Sequence, residues 1–294
     1  MISLETIRYV RLGTANVDDA VSYATKLLGL ELVRRERGAA YLRSDSRDHT
    51  LVYTTDDPRK HSVAFEVGAG KIDAAASELD NSGHAVRAAT RAECEQRWVD
   101  SAVMFTDPSG NSIELVARPA ASGRRYFPSR DAGITGFSHI GLHSISPPKD
   151  EIFWTTVCNA KVSDWIGEAP LLRIDPVHHR MALFPSKRVG VQHINHQVES
   201  IDDLMRSYYF LRERKVKIRF GPGRHPTSGA MFLYFDGPDG MIYEYSTGVR
   251  MITDESDYRP RQFPAANSSF CAWGSKPDIP EFEGARQFSD TVDA

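Results

Sequence analysis

The chain predicts an α+β protein of two tandem modules, each made of paired βαβββ units. Three observations predict it: an internal duplication, a shared order of elements in the two halves, and a loop-like stretch between them. IRYVRLGT (7–14) matches FSHIGLHS (137–144), and ERGAAYLRSD (36–45) matches GEAPLLRID (167–175). KHSVAFEV (60–67) matches QHINHQVE (192–199), and FTDPSGNSIELV (105–116) matches FDGPDGMIYEYS (235–246). Three of the four pairs are offset by 130 residues and the His61/His193 pair by 132. Each match is weak alone, but a near-constant offset over four segments is the mark of a repeat.

Each half opens on a short strand, IRYVRLGT or FSHIGLHS, followed by a helix, VDDAVSYATKLLGL or KDEIFWTTVCNA. Asp18, Asp19 and Asp150 place acids at the helix starts, where the dipole favours them. Apolar or alternating runs follow; in the first half these are AAYLR, TLVYT and HSVAFEV. A second helix is expected over KIDAAASELDNSG and over SIDDLMRSYYFLRERK. The last hairpin of each half turns on DPSG or GPDG. Helices then lie outside curved mixed sheets. ARPAASGRRYFPSRDAG (117–133) separates the halves. The expected organisation is a first module over 1–118, a linker over 119–133, a second module over 134–254 and a C-terminal arm over 255–294, with the final SDTVDA frayed.

With 41% hydrophobic and 26% charged residues and a formal net charge of −3, nothing drives the chain onto nucleic acid or anionic lipid. No run approaches 18 apolar residues, so no membrane span is expected, and the N-terminus does not read as a signal peptide. Three widely spaced cysteines, Cys94, Cys158 and Cys271, argue against a disulfide framework or a cysteine zinc site and fit a cytoplasmic setting. No Gly-rich phosphate cradle is present.

His139, His193 and Glu244 fall on the first, fourth and last strands expected of the second half. Two imidazoles and a carboxylate suit non-haem iron(II) with open positions, although zinc accepts the same donors. Such a trio is unremarkable by composition; its placement on corresponding strands of a duplicated unit is not. The stretch GRHPTSGAMFLYFDGPDGMIYE (223–244), with Gly223, His225, Leu233, Tyr234, Pro238, Gly240 and Glu244, resembles the signature of type I extradiol dioxygenases of the vicinal-oxygen-chelate superfamily. One departure is Gly237, where that family usually has a polar residue before the proline.

The resemblance spans nearly the whole chain. It implies the glyoxalase/bleomycin-resistance/extradiol dioxygenase fold and an Fe(II) site, Mn(II) being the alternative, on His139, His193 and Glu244. It implies an acid/base role for His179, catecholate binding by His225 and Tyr234, and a less defined substrate contact at Thr227. The implied reaction inserts both atoms of O2 into a catechol-type ring, bicyclic or substituted diols included. It also implies a homo-oligomer. His178 and His179, if on a strand, face opposite sides, and His179 is the one placed toward the site. His196 reads as a packed neighbour of His193. His143 reads as core or as support for the site. Phe137, Trp154, Trp165, Phe184 and Phe235 read as pocket wall or core. At the corresponding positions the first half carries Tyr9, His61 and Glu114, with Met104 matching Tyr234 and His49 matching His179. Tyr9 breaks the ligand set, so the first module is expected to be non-catalytic. The rival readings are a non-oxidative metal-dependent isomerase or lyase of the same superfamily, and a ligand-sequestering protein.

Overall fold

The computed structural model describes residues 1–282, so the expected fraying of the last six residues lies outside it. The first half runs β1 (Leu4–Thr14), α1 (Val17–Tyr23), β2 (Glu31–Glu36), β3 (Ala39–Arg43), β4 (Leu51–Thr55), β5 (His61–Val67), α2 (Ile72–Asn81), β6 (Val86–Ala88), α3 (Arg91–Arg97), β7 (Ser101–Thr106) and β8 (Ser112–Ala117). The second runs β9 (Ile134–Ser144), α4 (Pro147–Thr156), β10 (Lys161–Ile166), β11 (Ala169–Arg173), β12 (Met181–Pro185), β13 (Val191–Val198), α5 (Ile201–Glu213), β14 (Ile218–Arg224), β15 (Met231–Asp236) and β16 (Ile242–Thr247). β17 (Arg261–Phe263) and α6 (Asn267–Phe270) follow.

The duplication is visible in the pairing. The first sheet has the order β2-β3-β4-β1-β5-β8-β7-β6, and the second has β14-β15-β16-β13-β9-β12-β11-β10-β17. In each, two four-stranded units join through their opening strands, β1 with β5 and β9 with β13, both antiparallel. Within each unit the last strand returns parallel to the first, as β4 to β1 and β16 to β13. That return needs a crossover, and the helix after each opening strand belongs to it.

Local sequence sets the helix ends. Asn16 caps α1 by accepting from the Asp18 and Asp19 amides, and the turn continues as a π-helix over Ala24–Leu28 until Gly29, at φ +80°, ends it. α4 starts two residues before the expected KDEIF run because Pro147 fits the first turn. Asp150, expected only to suit the dipole, is buried and accepts from the Ser109 and Ser144 hydroxyls. α3 was not expected, yet its signature is in the chain: Thr90 and Glu93 form a reciprocal capping box. α5 buries Leu204, Ser207 and Leu211, one stripe at helical spacing, and each fully buried leucine contributes roughly 1.5–3 kcal/mol.

One apolar core runs through both halves. Phe65 packs on Trp154 with ring centroids 5.3 Å apart, and the Tyr53 and Tyr243 hydroxyls meet at 2.6 Å. The segment between the halves is fastened: the buried Arg43 guanidinium binds the Arg124 and Arg125 carbonyls, and Arg130 reaches the Leu27 carbonyl and Ser207. The C-terminal arm is more regular than its composition implies. β17 pairs parallel with β10, and Phe270, Cys271, Ile279 and Phe282 enter a second apolar cluster with Phe184, Phe220, Phe232 and Tyr234.

Candidate metal centre

β13 lies at the middle of the second sheet between β9 and β16. Asn195 pairs with His139 on one side and with Glu244 on the other, and Glu244 pairs with Tyr234. Side chains two residues apart on a strand share a face, so His193 joins this set. Gly141 stands opposite His193, and a Cβ there would land on the His193 ring. Glycine is therefore what lets the imidazole lie across β9. The Gly237 departure has a similar cause: a Cβ would strike the ring of Tyr243, which is committed to Tyr53.

The nitrogen and oxygen donors of His139, His193 and Glu244 all lie within 4.8 Å of one another. His139 Nε2 is 3.2 Å from His193 Nε2 and 3.0 Å from Glu244 Oε2, and His193 Nε2 is 3.4 Å from Glu244 Oε2. All three residues are buried, and neither Glu244 oxygen receives a hydrogen bond of good geometry. A buried carboxylate left without donors is costly, and a cation is the usual partner. His193 Nδ1 is spent on the Gln192 side-chain oxygen, which leaves Nε2 with its lone pair toward the centre. The donor set fits a divalent ion of the iron, manganese or zinc type. Burial opposes ionisation of Glu244, but the imidazoles of His139, His225 and His193 outweigh it and hold the carboxyl below its usual range. Burial pushes His193 down to about 3, so it is a neutral imidazole near pH 7.

His179 lies 4.3 Å from His139 between ring centroids and is also buried. It sits in the loop between β11 and β12, not on a strand, so the alternation argument that separated it from His178 does not apply. Both rings point inward, and His178 supports His179. Arg261 binds Asp164 through Nε at 3.0 Å and Nη2 at 2.6 Å, and Asp164 accepts from His178 Nε2 at 2.9 Å. His178 Nδ1 then meets His179 Nδ1 at 3.1 Å. With Nε2–H committed to Asp164, His178 Nδ1 is an acceptor, so His179 donates from Nδ1 and keeps Nε2 as a base. Burial and the neighbouring histidines lower the His179 pKa well below the ordinary value.

His225 donates from Nδ1 to the Phe270 carbonyl at 2.7 Å, which turns Nε2 to within 3.3 Å of the Tyr234 hydroxyl and 3.5 Å of Glu244 Oε1. Tyr234 stands edge-on to His193, with centroids 5.2 Å apart. Thr227 is buried in the turn after His225, but its carbonyl, not its hydroxyl, makes the observed hydrogen bond, to Arg261. His196 packs between Phe137 and Tyr243, and neither of its ring nitrogens has a partner. His143 sits 3.5 Å from Glu281 at the junction of the halves. Of the five apolar candidates for a pocket wall, only Phe184 approaches the site, 6.0 Å from His193. Phe137, Trp154 and Phe235 are in the main core, and Trp165 bonds Glu151. Phe282 was missed. It lies 5.6 Å from Tyr234 and 4.8 Å from Phe184, beside the donors. Asp164, Arg261 and the Phe270 carbonyl were missed as well, because the arm reaches back from Arg261 to Asp164 across 97 residues and from Phe270 to His225 across 45.

Among the described residues the first module holds no such donor set. Glu114 accepts from Arg97 at 2.8 and 3.0 Å, from Tyr9 at 2.8 Å and from Ser62 at 2.8 Å. His61 donates from Nε2 to the Pro58 carbonyl and accepts the Val191 amide at Nδ1, so both of its nitrogens are occupied. His49 is bound to Asp48 at 2.9 Å.

Paired βαβββ sheets with two histidines and a glutamate converging at one centre define a protein of the metal-chelating paired-unit class. The chain belongs to the glyoxalase/bleomycin resistance protein/dioxygenase superfamily, whose family model matches residues 6–115 and 129–245. It is 23% identical over 300 residues to a biphenyl-2,3-diol 1,2-dioxygenase of Sphingomonas paucimobilis, covering 95% of this chain and 99% of the relative. It is 26% identical over 278 residues to an iron-dependent extradiol dioxygenase of Rhodococcus jostii strain RHA1, covering 87% and 93%. Among solved structures, a halotolerant catechol dioxygenase superposes with a TM-score of 0.85 at 23% identity, over 96% of this chain and 97% of that one. The Mn(II)-bound glyoxalase of Novosphingobium aromaticivorans superposes with a TM-score of 0.85 at 24% identity, over 97% and 96%. These likenesses establish the fold. No helix among the described residues is long and apolar enough to cross a membrane.

Proposed function

We propose that the chain is an iron(II)-dependent extradiol dioxygenase that opens a catechol-type ring and places both atoms of O2 in the product. One observation carries this: three convergent donors with a buried, donor-free carboxylate, enclosed by His179, His225 and Tyr234. The relatives named as biphenyl-diol and iron-dependent extradiol dioxygenases, matched over most of their length, support the reading.

His139, His193 and Glu244 would hold the ion. Iron(II) held there would supply Lewis-acid activation of the diol and the one-electron chemistry that reaction with dioxygen requires. A relative named as manganese-dependent makes Mn(II) the alternative metal. The chain's own groups manage the protons. A catechol must shed protons to chelate, and His179 Nε2 is a free acceptor held by the Arg261–Asp164–His178 chain. His225 Nε2 is a second acceptor, and the Tyr234 hydroxyl beside it can donate to an oxygen on the ring. Phe184, Phe220 and Phe282 exclude water from this corner and offer flat apolar surfaces to an aromatic substrate. Assembly as a homo-oligomer in the cytoplasm belongs to the same proposal; the three cysteines are buried free thiols.

The test is anaerobic loading with iron(II), then catechol, 3-methylcatechol, 2,3-dihydroxybiphenyl and protocatechuate in air-saturated buffer. A yellow ring-opened product, one dioxygen consumed per turnover and loss of both in His193→Ala is the expected result. Stoichiometric iron without cleavage of any of these diols refutes it. The non-oxidative reading, favoured by the match to the Mn(II)-bound glyoxalase fold, then takes its place.

A further inference from the structure

The first module has a cup where, among the described residues, no set of metal donors converges. The cavity measures about 850 Å³, in the size range of small-molecule sites. At its floor Arg97 neutralises Glu114, and its guanidinium lies against the carboxylate that corresponds to Glu244. Arg11 stands 130 residues before Gly141. Where the second module has a glycine to admit His193, the first therefore carries a guanidinium.

The charge of the lining is one-sided. Six cationic side chains (Arg11, Arg37, Arg59, Lys60, Arg87 and Arg97) face three acids (Glu36, Asp56 and Glu114), on a chain whose net charge is −3. Four of the six are matched: Arg59 by Asp57, Lys60 by Asp56, Arg87 by Glu93 and Arg97 by Glu114. Arg11 and Arg37 have no carboxylate within 4 Å among the described residues. Among the described residues Arg11 Nη1 has no hydrogen-bond partner, while the guanidinium lies near the Tyr41 hydroxyl and in the field of Glu114. A guanidinium without a paired carboxylate is costly to desolvate, and an anion brought against Arg11 from the cup would offset that cost. The remaining wall is mixed: Tyr41, Met104, Phe105 and Ile113 give it apolar surface, and Thr54, Ser62, Gln96 and Asn111 are polar. A small inorganic anion would leave the Tyr41, Met104, Phe105 and Ile113 surface uncovered, whereas a carboxylate on a flat apolar body meets both the arginines and that surface.

We infer that the cup of the first module is a second ligand site, built for an organic carboxylate whose charged end meets Arg11 and Arg37. The site is independent of the metal centre. Val189 and Gly190 of the second module complete its wall, so an occupant lies against the turn that leads into β13.

Benzoate is the probe, titrated by calorimetry into the iron-loaded full chain at low salt, with benzamide as the neutral isostere and inorganic phosphate as the bare anion. Expected is saturable 1:1 binding of benzoate and none of benzamide. Affinity should fall about tenfold or more in Arg11→Gln and in Arg37→Gln, the loss of one charge-assisted hydrogen bond. His193→Ala should bind benzoate as the parent does. Arg37 is exposed, so its variant folds whatever Arg11→Gln does. The inference falls if benzoate does not saturate below roughly 10 mM. It also falls if binding survives both arginine variants but is lost in His193→Ala, which places the ligand at the metal, or if phosphate binds and benzoate does not.

Discussion

Arg97 grips Glu114 with two parallel hydrogen bonds, Nε to Oε2 at 2.8 Å and Nη2 to Oε1 at 3.0 Å, at the position that corresponds to the proposed metal site beside Glu244. The guanidinium supplies the positive charge that this buried carboxylate needs. Arg97→Ala leaves Glu114 buried with only the Tyr9 and Ser62 donors, and removing one partner of such a pair costs about 3–5 kcal/mol. Denaturant titration should show that loss, and Arg97→Lys should recover only part of it because lysine cannot make the paired bonds. Iron content should stay at that of the parent, since both His61 nitrogens are already committed.

Metal removal tests the second module. An ion that binds only the folded chain stabilises it by about 2.7 kcal/mol at a hundred times its dissociation constant. Chelation should lower the melting temperature of the parent, and added iron(II) should restore it. Glu244→Ala and His193→Ala should show neither response in calorimetry. A variant that still takes up iron as the parent does would remove that residue from the ligand set.

His179→Asn should retain iron and lose about 10²–10⁴ in kcat, the usual worth of a positioned acid/base group. Asp164 does not touch the centre; it sets which His178 nitrogen carries the proton and, through it, the orientation of His179. Asp164→Asn should therefore shift the pH profile of kcat/KM with the iron content unchanged. Dioxygen uptake across pH reads both variants. An Asp164→Asn profile that overlays the parent's would break the chain as drawn.

His196 governs part of the acid stability. Burial pushes its pKa down to about 3, against about 6.5 in an unfolded chain. The unfolded state binds the extra proton between these values, so the stability that neutral His196 preserves is complete above pH 6.5 and is lost as pH falls toward 3. His196→Phe, between Phe137 and Tyr243, removes two nitrogens without partners and should gain about 1–2 kcal/mol at neutral pH. It should also flatten the stability profile below pH 6.5 by about one proton, or about 1.4 kcal/mol per pH unit. Urea titrations from pH 4 to 8 measure both. An unchanged slope would mean that His196 does not titrate on unfolding.

The duplication, the order of strands within each unit and the three donors that converge in the second module were legible in the chain. They are local matters: a period of two along a strand, a turn at DPSG or GPDG, and a donor that recurs at one offset in two copies of a unit. Even α3 announced itself through Thr90 and Glu93, though its use was hidden, since nothing near Arg97 says that it will cross to Glu114. What holds His179 was not legible. Adjacent histidines read as alternating on a strand, whereas the chain places them in a loop and couples them to Asp164 and Arg261. The arm's contribution, from the Phe270 carbonyl on His225 to Phe282 beside Tyr234, is likewise a matter of where a non-periodic segment comes to rest. Periodic pattern and repetition encode which residues a strand presents to one face. The proton positions, the closing of the cup and the pairing of Glu114 with a guanidinium depend on contacts that the chain makes only once it has packed.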